Sequence, residues 1–220
     1  LRPFTAAFPK PLMPVGDRPI LELVLRQLGR HGFSDVTVSV GYLAPLIQNF
    51  FGDGSALGLR IDYLHEAEPL GTAGPLARLG PVSETILVVN GDLLTTIDLT
   101  QMLAFHRETG AVATIAARQR DVYVDFGVLE IADDRLAAYV EKPTLHYWVS
   151  MGLNLLEPEA VAAVPREGRY DLPALMEGLR TAGKPVACYR TDAYWLDIGR
   201  VDDYERAQEE FPQIKANFGL

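Results

Sequence analysis

The segment Glu84-Thr85-Ile86-Leu87-Val88-Val89-Asn90-Gly91-Asp92 decides the fold. Four consecutive aliphatic residues, Ile86 to Val89, read as a short strand covered on both faces, the pattern of a parallel sheet flanked by helices. Asn90-Gly91 then turns the chain and leaves Asp92 just past the strand's carboxyl end. In open α/β sheets the crevice beyond the carboxyl ends of the strands is where ligands bind. Mg²⁺ takes one or two carboxylates together with phosphate oxygens, so Asp92 is a candidate metal ligand. Asn-Gly-Asp is also ordinary turn chemistry after a strand, and these residues alone leave both readings open.

Upstream, Leu1 to Gly16 carries four prolines and little periodicity, a loop with Lys10 held between Pro9 and Pro11. Prolines on both sides restrict the lysine's backbone to extended forms, which suits a pre-oriented ammonium for phosphate and equally a solvated lysine in a stiff loop. Asp17 is expected to cap a helix whose apolar stripe is Ile20, Leu21, Val24, Leu25 and Leu28. Asp35 to Tyr42 alternates as a strand, Ala44 to Phe51 reads as a short helix, and Leu59 to Leu64 as another strand. That rhythm predicts parallel crossovers in a doubly wound sheet. Next come Glu66 to Gly74, whose Gly71-Thr72-Ala73-Gly74 leaves room for a flat ligand against the main chain. A helix over about residues 72–79 would present free N–H groups there, although small residues also serve plain close packing.

Downstream, Asp98 is expected to cap a helix running to about Thr109. His106, on that helix, reads as a surface or satisfied core residue, since no second His or Cys stands at metal-ligand spacing. Strand candidates then dominate: residues 111–117, 124–131, 136–140 and 148–156. Gly127 interrupts one of them, and Glu141-Lys142-Pro143 ends another with a carboxylate and an ammonium. That pair suits a sugar phosphate, and equally an exposed ion pair. Helices are expected over 157–164 and 172–182, the second capped by Asp171. After a strand over 185–190, Tyr194-Trp195-Leu196-Asp197-Ile198-Gly199 again places an aspartate beside a turn, ahead of a helix with Asp202 and Asp203 in its first turn.

The chain's 220 residues, 48% hydrophobic and 22% charged, suit one globular domain over 1–220. One cysteine, Cys188, forms no internal disulfide, and with no apolar run of membrane-spanning length a cytoplasmic protein is expected, bound to neither membrane nor nucleic acid. A net charge of −9 argues against a polyanion-binding surface. An anionic substrate would have to be caught by local cations or a metal, which makes Arg2, Lys10, Arg18 and Lys142 informative.

Taken in order, Leu1-Arg2-Pro3-Phe4-Thr5, Pro9-Lys10-Pro11, Glu68-Pro69-Leu70-Gly71-Thr72-Ala73-Gly74, Val89 to Asp92, Val140 to Pro143 and Trp195 to Gly199 resemble the sugar-1-phosphate nucleotidyltransferases. The resemblance runs over essentially the whole chain. It is greatest to the branch of mannose-1-phosphate guanylyltransferases and related heptose- or aminosugar-phosphate enzymes. In that family a first strand and a glycine-rich phosphate loop precede the arginine-proline segment. Both are missing upstream of Leu1, so residues before Leu1 are expected, and without that strand the centre of the sheet would have a gap.

The resemblance implies an α/β, Rossmann-like fold of GT-A type: three α/β/α layers around a mixed, mostly parallel central sheet. Residues 1–110 would form the nucleotide half and 111–220 the sugar-phosphate half. It implies formation of an NDP-sugar and pyrophosphate from an NTP and a sugar 1-phosphate. Lys10, Asp92, Asp197 and Lys142 would be catalytic, with Asp92 and Asp197 binding Mg²⁺. The nucleotide would lie on Lys10, Glu66, Pro69, Leu70, Gly71, Thr72, Gly74, Asn90 and Gly91. The sugar phosphate would lie on Gly127, Glu141, Lys142, Ser150, Met151 and Gly152. Gly-Thr-Ala-Gly leans toward GTP, and a homo-oligomer is compatible with the family. The competing readings are a uridylyl- or thymidylyltransferase of the same family, a GT-A glycosyltransferase, and a non-catalytic nucleotide-sugar-binding subunit. The glycosyltransferase would ordinarily carry Asp-x-Asp where Asn90-Gly91-Asp92 stands.

Overall fold

The computed structural model describes residues 8–220, so Arg2 and the Leu1–Thr5 motif lie outside the described residues. Lys10–Leu12 forms one 3-10 turn with Leu12 buried. A small antiparallel hairpin follows, β1 (Pro14–Val15) and β2 (Arg18–Pro19). Asp17 belongs to its turn, beside Gly16 at φ +61°, and does not cap the next helix. Pro19 holds the N-cap position of α1 (Ile20–Arg30) instead, because the hairpin carries the chain two residues further before it turns helical.

β3 (Asp35–Val40), α2 (Ala44–Phe51) and β4 (Arg60–His65) make the expected strand-helix-strand unit, and β3 and β4 pair in parallel. Residues 74–78 form a single 3-10 turn rather than an α-helix. β5 (Ile86–Val89) and β6 (Leu93–Thr95) bracket Asp92, and α3 (Leu99–Thr109) follows. Its cap is the one expected, with the Asp98 carboxylate accepting from the N–H groups of Thr100 and Gln101.

β7 (Ala113–Tyr123) leads into a separate two-stranded hairpin, β8 (Val128–Ala132) and β9 (Arg135–Val140), and β10 (Thr144–Leu156) returns. Then come α4 (Pro158–Ala162), α5 (Leu172–Thr181), β11 (Val186–Arg190), β12 (Trp195–Asp197) and α6 (Val201–Ile214). At the head of α6 the Asp203 carboxylate accepts from the Arg200 N–H, closing a capping box.

The largest sheet has the order β11-β7-β10-β5. It is mixed but not mostly parallel: β7 and β11 are parallel, whereas β10 runs antiparallel to both β5 and β7. The reason is connectivity. β10 returns from β7 through a hairpin insertion, and a strand that doubles back this way pairs antiparallel. The remaining described strands form separate pairs, β3 with β4, β6 with β12, β1 with β2, and β8 with β9.

Three layers are nonetheless built. Ile86 and Val88 pack with Leu156 and Ile115 against Leu175, Met176 and Leu179 of α5. Leu87 and Val89 turn the other way, with Ala116, Leu153 and Leu155, onto Val24 and Leu28 of α1 and Met102 of α3. The aliphatic run is thus covered on both faces, and each β5 residue serves a layer in strict alternation. All four remain partly exposed, and β5 pairs with no strand on its edge away from β10 among the described residues.

Candidate active site

The β6–β12 pairing builds the centre of the site. Asp197 lies opposite Leu93 in register, and the Ile198 N–H donates to the Asp92 carbonyl at 3.2 Å, so two aspartates distant in sequence become neighbours. Between them comes Lys10. Its Nζ donates to Asp92 Oδ2 and lies 4.0 Å from Asp197 Oδ1. The 3-10 turn aims this lysine inward: its side chain is 27% exposed, close to the 26% of Asp92. Burial first, and then the Asp92 charge, push the Asp197 carboxyl above its ordinary range, with Lys10 acting against them.

Two carboxylates held this close with one ammonium form a locus for positive charge. Among the described residues no group of three or more His, Cys, Asp or Glu side chains converges. A divalent ion here would therefore take its remaining ligands from phosphate or water, which fits the coordination habits of Mg²⁺.

The segment after β4 is organised by its own side chains. Glu66 Oε1 accepts from Ser39 Oγ at 2.6 Å, and Oε2 accepts from the Leu70 N–H at 2.8 Å. These bonds hold the Pro69-Leu70 turn in place, with Leu70 buried. The N–H groups expected to be free are taken: Thr72 donates to Asp171 Oδ1, and Ala73 and Gly74 both donate to the Tyr170 carbonyl, each at 2.9 Å. Gly71 is required by close approach, since at φ +82° its Cβ would sit 2.5 Å from the Tyr170 oxygen. Small residues here serve packing against residues 170–171, a role that a helix N-terminus would have left open.

A cavity of about 540 Å³ opens beside this centre. It is bordered by Thr72, Asn90, Ser150, Met151, Gly152 and Asp197, joining residues from both halves of the chain. Gly152, at φ +77°, sits in a register shift of the β7–β10 pairing, and its Cβ would meet Asn90 Nδ2 at 2.7 Å. The Asn90 N–H donates to the Gly152 carbonyl, fixing the β5 end to this strand. Gly91 faces Leu21, 3.7 Å from its virtual Cβ.

Gly127, Glu141 and Lys142 form a second group, on and beside the β8–β9 hairpin, and none of them borders the cavity. A Cβ on Gly127 would lie 2.3 Å from the Tyr139 hydroxyl, which donates to Glu141 Oε2 at 3.0 Å. Lys142 has a positive φ of 45°, and its ammonium is 3.2 Å from Asp125 Oδ1. The lysine expected to anchor a sugar phosphate is thus exposed and ion-paired with a neighbouring loop.

Arg18 ties into α1 through Glu22 rather than into the site. His106 is a satisfied core residue, bonded to Thr114 Oγ1 at 2.7 Å and Glu157 Oε1 at 2.9 Å. Sequence reasoning missed Asn154, a buried polar residue bordering the cavity, and the Trp195 indole, which donates to the Met151 carbonyl. A signal for Asn154 was available: it is one amide in the otherwise apolar run Leu153 to Leu156.

The α/β fold brings two aspartates and a lysine together at strand ends. The chain belongs to the nucleotidyl transferase family, whose model matches residues 1–213. It is 33% identical to a UTP–glucose-1-phosphate uridylyltransferase of Synechocystis sp., over 94% of this chain and 59% of that protein. It is 32% identical to a mannose-1-phosphate guanylyltransferase of Mycobacterium tuberculosis, over 96% of this chain and 60% of that protein. The chain therefore spans about 60% of the length of these curated relatives. The crystal structure of HddC from Yersinia pseudotuberculosis complexed with GMP-PN shares the fold, with a TM-score of 0.72 at 22% identity, covering 93% of this chain and 90% of that one.

Proposed function

We propose that this protein transfers a nucleoside monophosphate from an NTP to a sugar 1-phosphate, yielding an NDP-sugar and pyrophosphate. The observation that carries the reading is the meeting of Asp92 and Asp197 at Lys10. A phosphate oxygen of the sugar 1-phosphate attacks the α-phosphorus in line. A new P–O bond forms, the α–β bridging bond breaks, and its electron pair leaves with pyrophosphate. The attacking oxygen already carries charge, so no general base is required and catalysis is alignment plus neutralisation of charge.

Lys10 would neutralise phosphate oxygens, and the two aspartates would hold Mg²⁺. When bound, the ion would offset charge on the phosphates. In this reading residues 1–110 handle the nucleotide, with Glu66 to Gly74 and Asn90-Gly91 along the base and ribose side. Residues 111–220 handle the sugar phosphate, with Ser150, Met151 and Gly152 at the cavity. Gly127, Glu141 and Lys142 would join them through a movement of the β8–β9 hairpin that frees Lys142 from Asp125. GTP is the favoured base, supported by the guanylyltransferase relatives. The uridylyltransferase relative makes UTP the first competitor.

The test is a matrix of four NTPs against hexose and heptose 1-phosphates with Mg²⁺, scored by pyrophosphate release. Release with at least one pair, strictly dependent on both substrates, is the expected result. Consumption of a nucleotide sugar with release of a nucleoside phosphate, and no pyrophosphate, would identify a glycosyltransferase instead.

A further inference from the structure

Asp171 stands at the N-cap position of α5, where an aspartate ordinarily accepts from N–H groups of its own helix. Its side chain makes no such bond. Its Oδ1 accepts instead from the Thr72 N–H at 2.9 Å, 99 positions earlier in the chain, and from the Thr72 hydroxyl at 3.4 Å. The helix still keeps a cap, because Thr72 Oγ1 accepts from the Leu172 N–H at 2.8 Å. What the exchange adds is a fixed spacing between two distant segments, which capping α5 does not require.

The rest of the junction is main chain. The Tyr170 N–H donates to the Leu70 carbonyl at 2.8 Å, and the Ala73 and Gly74 N–H groups donate to the Tyr170 carbonyl. Residues 70–74 are therefore held at both ends by Tyr170 and in the middle by Asp171. Gly71 makes room for the carboxylate, since a Cβ there would lie 2.6 Å from Asp171 Oδ1. The Thr72 N–H, ahead of the Arg169 guanidinium and against some desolvation, holds the Asp171 carboxyl below its ordinary range. A bond to an ionised acceptor is stronger than one between neutral groups, so the middle anchor is the strongest single bond of the junction.

This junction forms one wall of the cavity beside the aspartates. Thr72 borders the cavity from the first half of the chain, and Leu172, Pro173, Met176, Glu177 and Arg180 of α5 border it from the second. Glu177 and Arg180 are paired with each other, Arg180 Nε donating to Glu177 Oε2 at 2.8 Å. Asp171 does not itself border the cavity. It acts behind the wall, bonded to Thr72 on one side and one residue from Leu172 on the other.

Resting on the nucleotidyl-transfer reading above, we infer that Asp171 is a positioning residue for the nucleotide. It touches no substrate, and through the Thr72 N–H it holds residues 70–74 in the arrangement that receives the NTP. A segment ordered in advance spares the binding step the cost of ordering it, so loss of the anchor weakens nucleotide binding before it affects the chemical step.

The experiment compares the wild type with Asp171→Ala and Asp171→Asn, using the NTP and sugar 1-phosphate that the wild type turns over fastest. Each substrate is varied separately with Mg²⁺, pyrophosphate release is followed, and NTP binding is measured by calorimetry. Asp171→Ala is expected to raise the KM for NTP about tenfold, with kcat and the KM for the sugar 1-phosphate within about threefold of the wild type. Asp171→Asn keeps an oxygen for the Thr72 N–H and is expected to return the KM for NTP to within about threefold of the wild type. Should the alanine variant fail to fold by circular dichroism, Asp171→Ser, too short to reach Thr72, is read in its place. A role in stability alone would lower kcat through the folded fraction and leave the KM for NTP unmoved. That result overturns the inference and leaves nucleotidyl transfer standing, as does an asparagine variant whose KM for NTP is raised as far as that of alanine. If the wild type releases no pyrophosphate with any pair the transfer reading fails, and calorimetry then decides. NTP affinity weakened about tenfold by alanine and restored by asparagine upholds the role of Asp171, whereas affinity unmoved by alanine, or no NTP binding at all, overturns it.

Discussion

Thr72 and Asp171 cap each other across the molecule. The Asp171 Oδ1 accepts from the Thr72 N–H at 2.9 Å, while the Thr72 Oγ1 accepts from the Leu172 N–H, at the start of α5, at 2.8 Å. The side chain expected to cap its own helix has been traded to a loop, and the loop's hydroxyl caps the helix in return. Asp171→Ala is therefore expected to lower the melting temperature by a few degrees and to loosen residues 71–74, measured by thermal unfolding and by amide exchange at Thr72.

Gly71 packs on the same junction. With a positive φ and the Tyr170 carbonyl 2.5 Å from its virtual Cβ, Gly71→Ala has no relaxed conformation. The expected loss is about 2–4 kcal/mol in denaturant unfolding, well above that of an alanine placed at an open glycine such as Gly80.

Asp92→Ala and Asp197→Ala are each expected to cut pyrophosphate release by a factor of about 10³ or more, with melting temperatures near the wild type in Mg²⁺-free buffer. The magnitude reflects loss of one of the two carboxylates that meet at Lys10. Either variant turning over at a near-normal rate would remove that residue from the proposed metal site.

Glu157 gives a prediction with a defined sign. Its Oε1 accepts from the Thr85 hydroxyl at 2.6 Å and from His106 Nε2 at 2.9 Å. The Thr85 bond first, with His106 adding to it against some desolvation, holds the carboxyl below its ordinary range. A carboxyl depressed in the folded state contributes stability that is complete above its unfolded value and fades as pH falls through its folded value. Wild-type stability should thus drop more steeply than that of Glu157→Gln as the pH is lowered from about 5 to about 3, and the two curves should converge in acid.

His106 is the buried end of that network, 1% exposed, and its other nitrogen bonds Thr114. His106→Leu strands the Thr114 hydroxyl in the core and is expected to cost about 1–3 kcal/mol in denaturant unfolding, with no change in sugar selectivity.

The layers were legible in the amino-acid sequence because periodicity is a local record of burial. Ile86 to Val89 announced a strand covered twice, and the stripe of α1 announced its inward face. The Asp98 cap and the acidic start of α6 could be read for the same reason, since cap and helix lie within a few residues of each other. Lys10, Asp92 and Asp197 were identifiable as types in suggestive places. What local pattern could not express was partnership. Asp17 was lost to a hairpin turn, Asp171 to a distant loop, and the N–H groups of Thr72 to Gly74 to residues nearly a hundred positions away.

By itself, the order of residues determined most of the longer strands and helices, which of their faces are apolar, and which charged groups stand at strand ends, because each depends on near neighbours along the chain. Only the tertiary structure decided that β10 inserts antiparallel, that Asp92 and Asp197 share one lysine, that Lys142 pairs with Asp125, and that Asn154 borders the cavity beside the aspartates. Those are consequences of register and of which surfaces close on one another, and both are set by the whole chain.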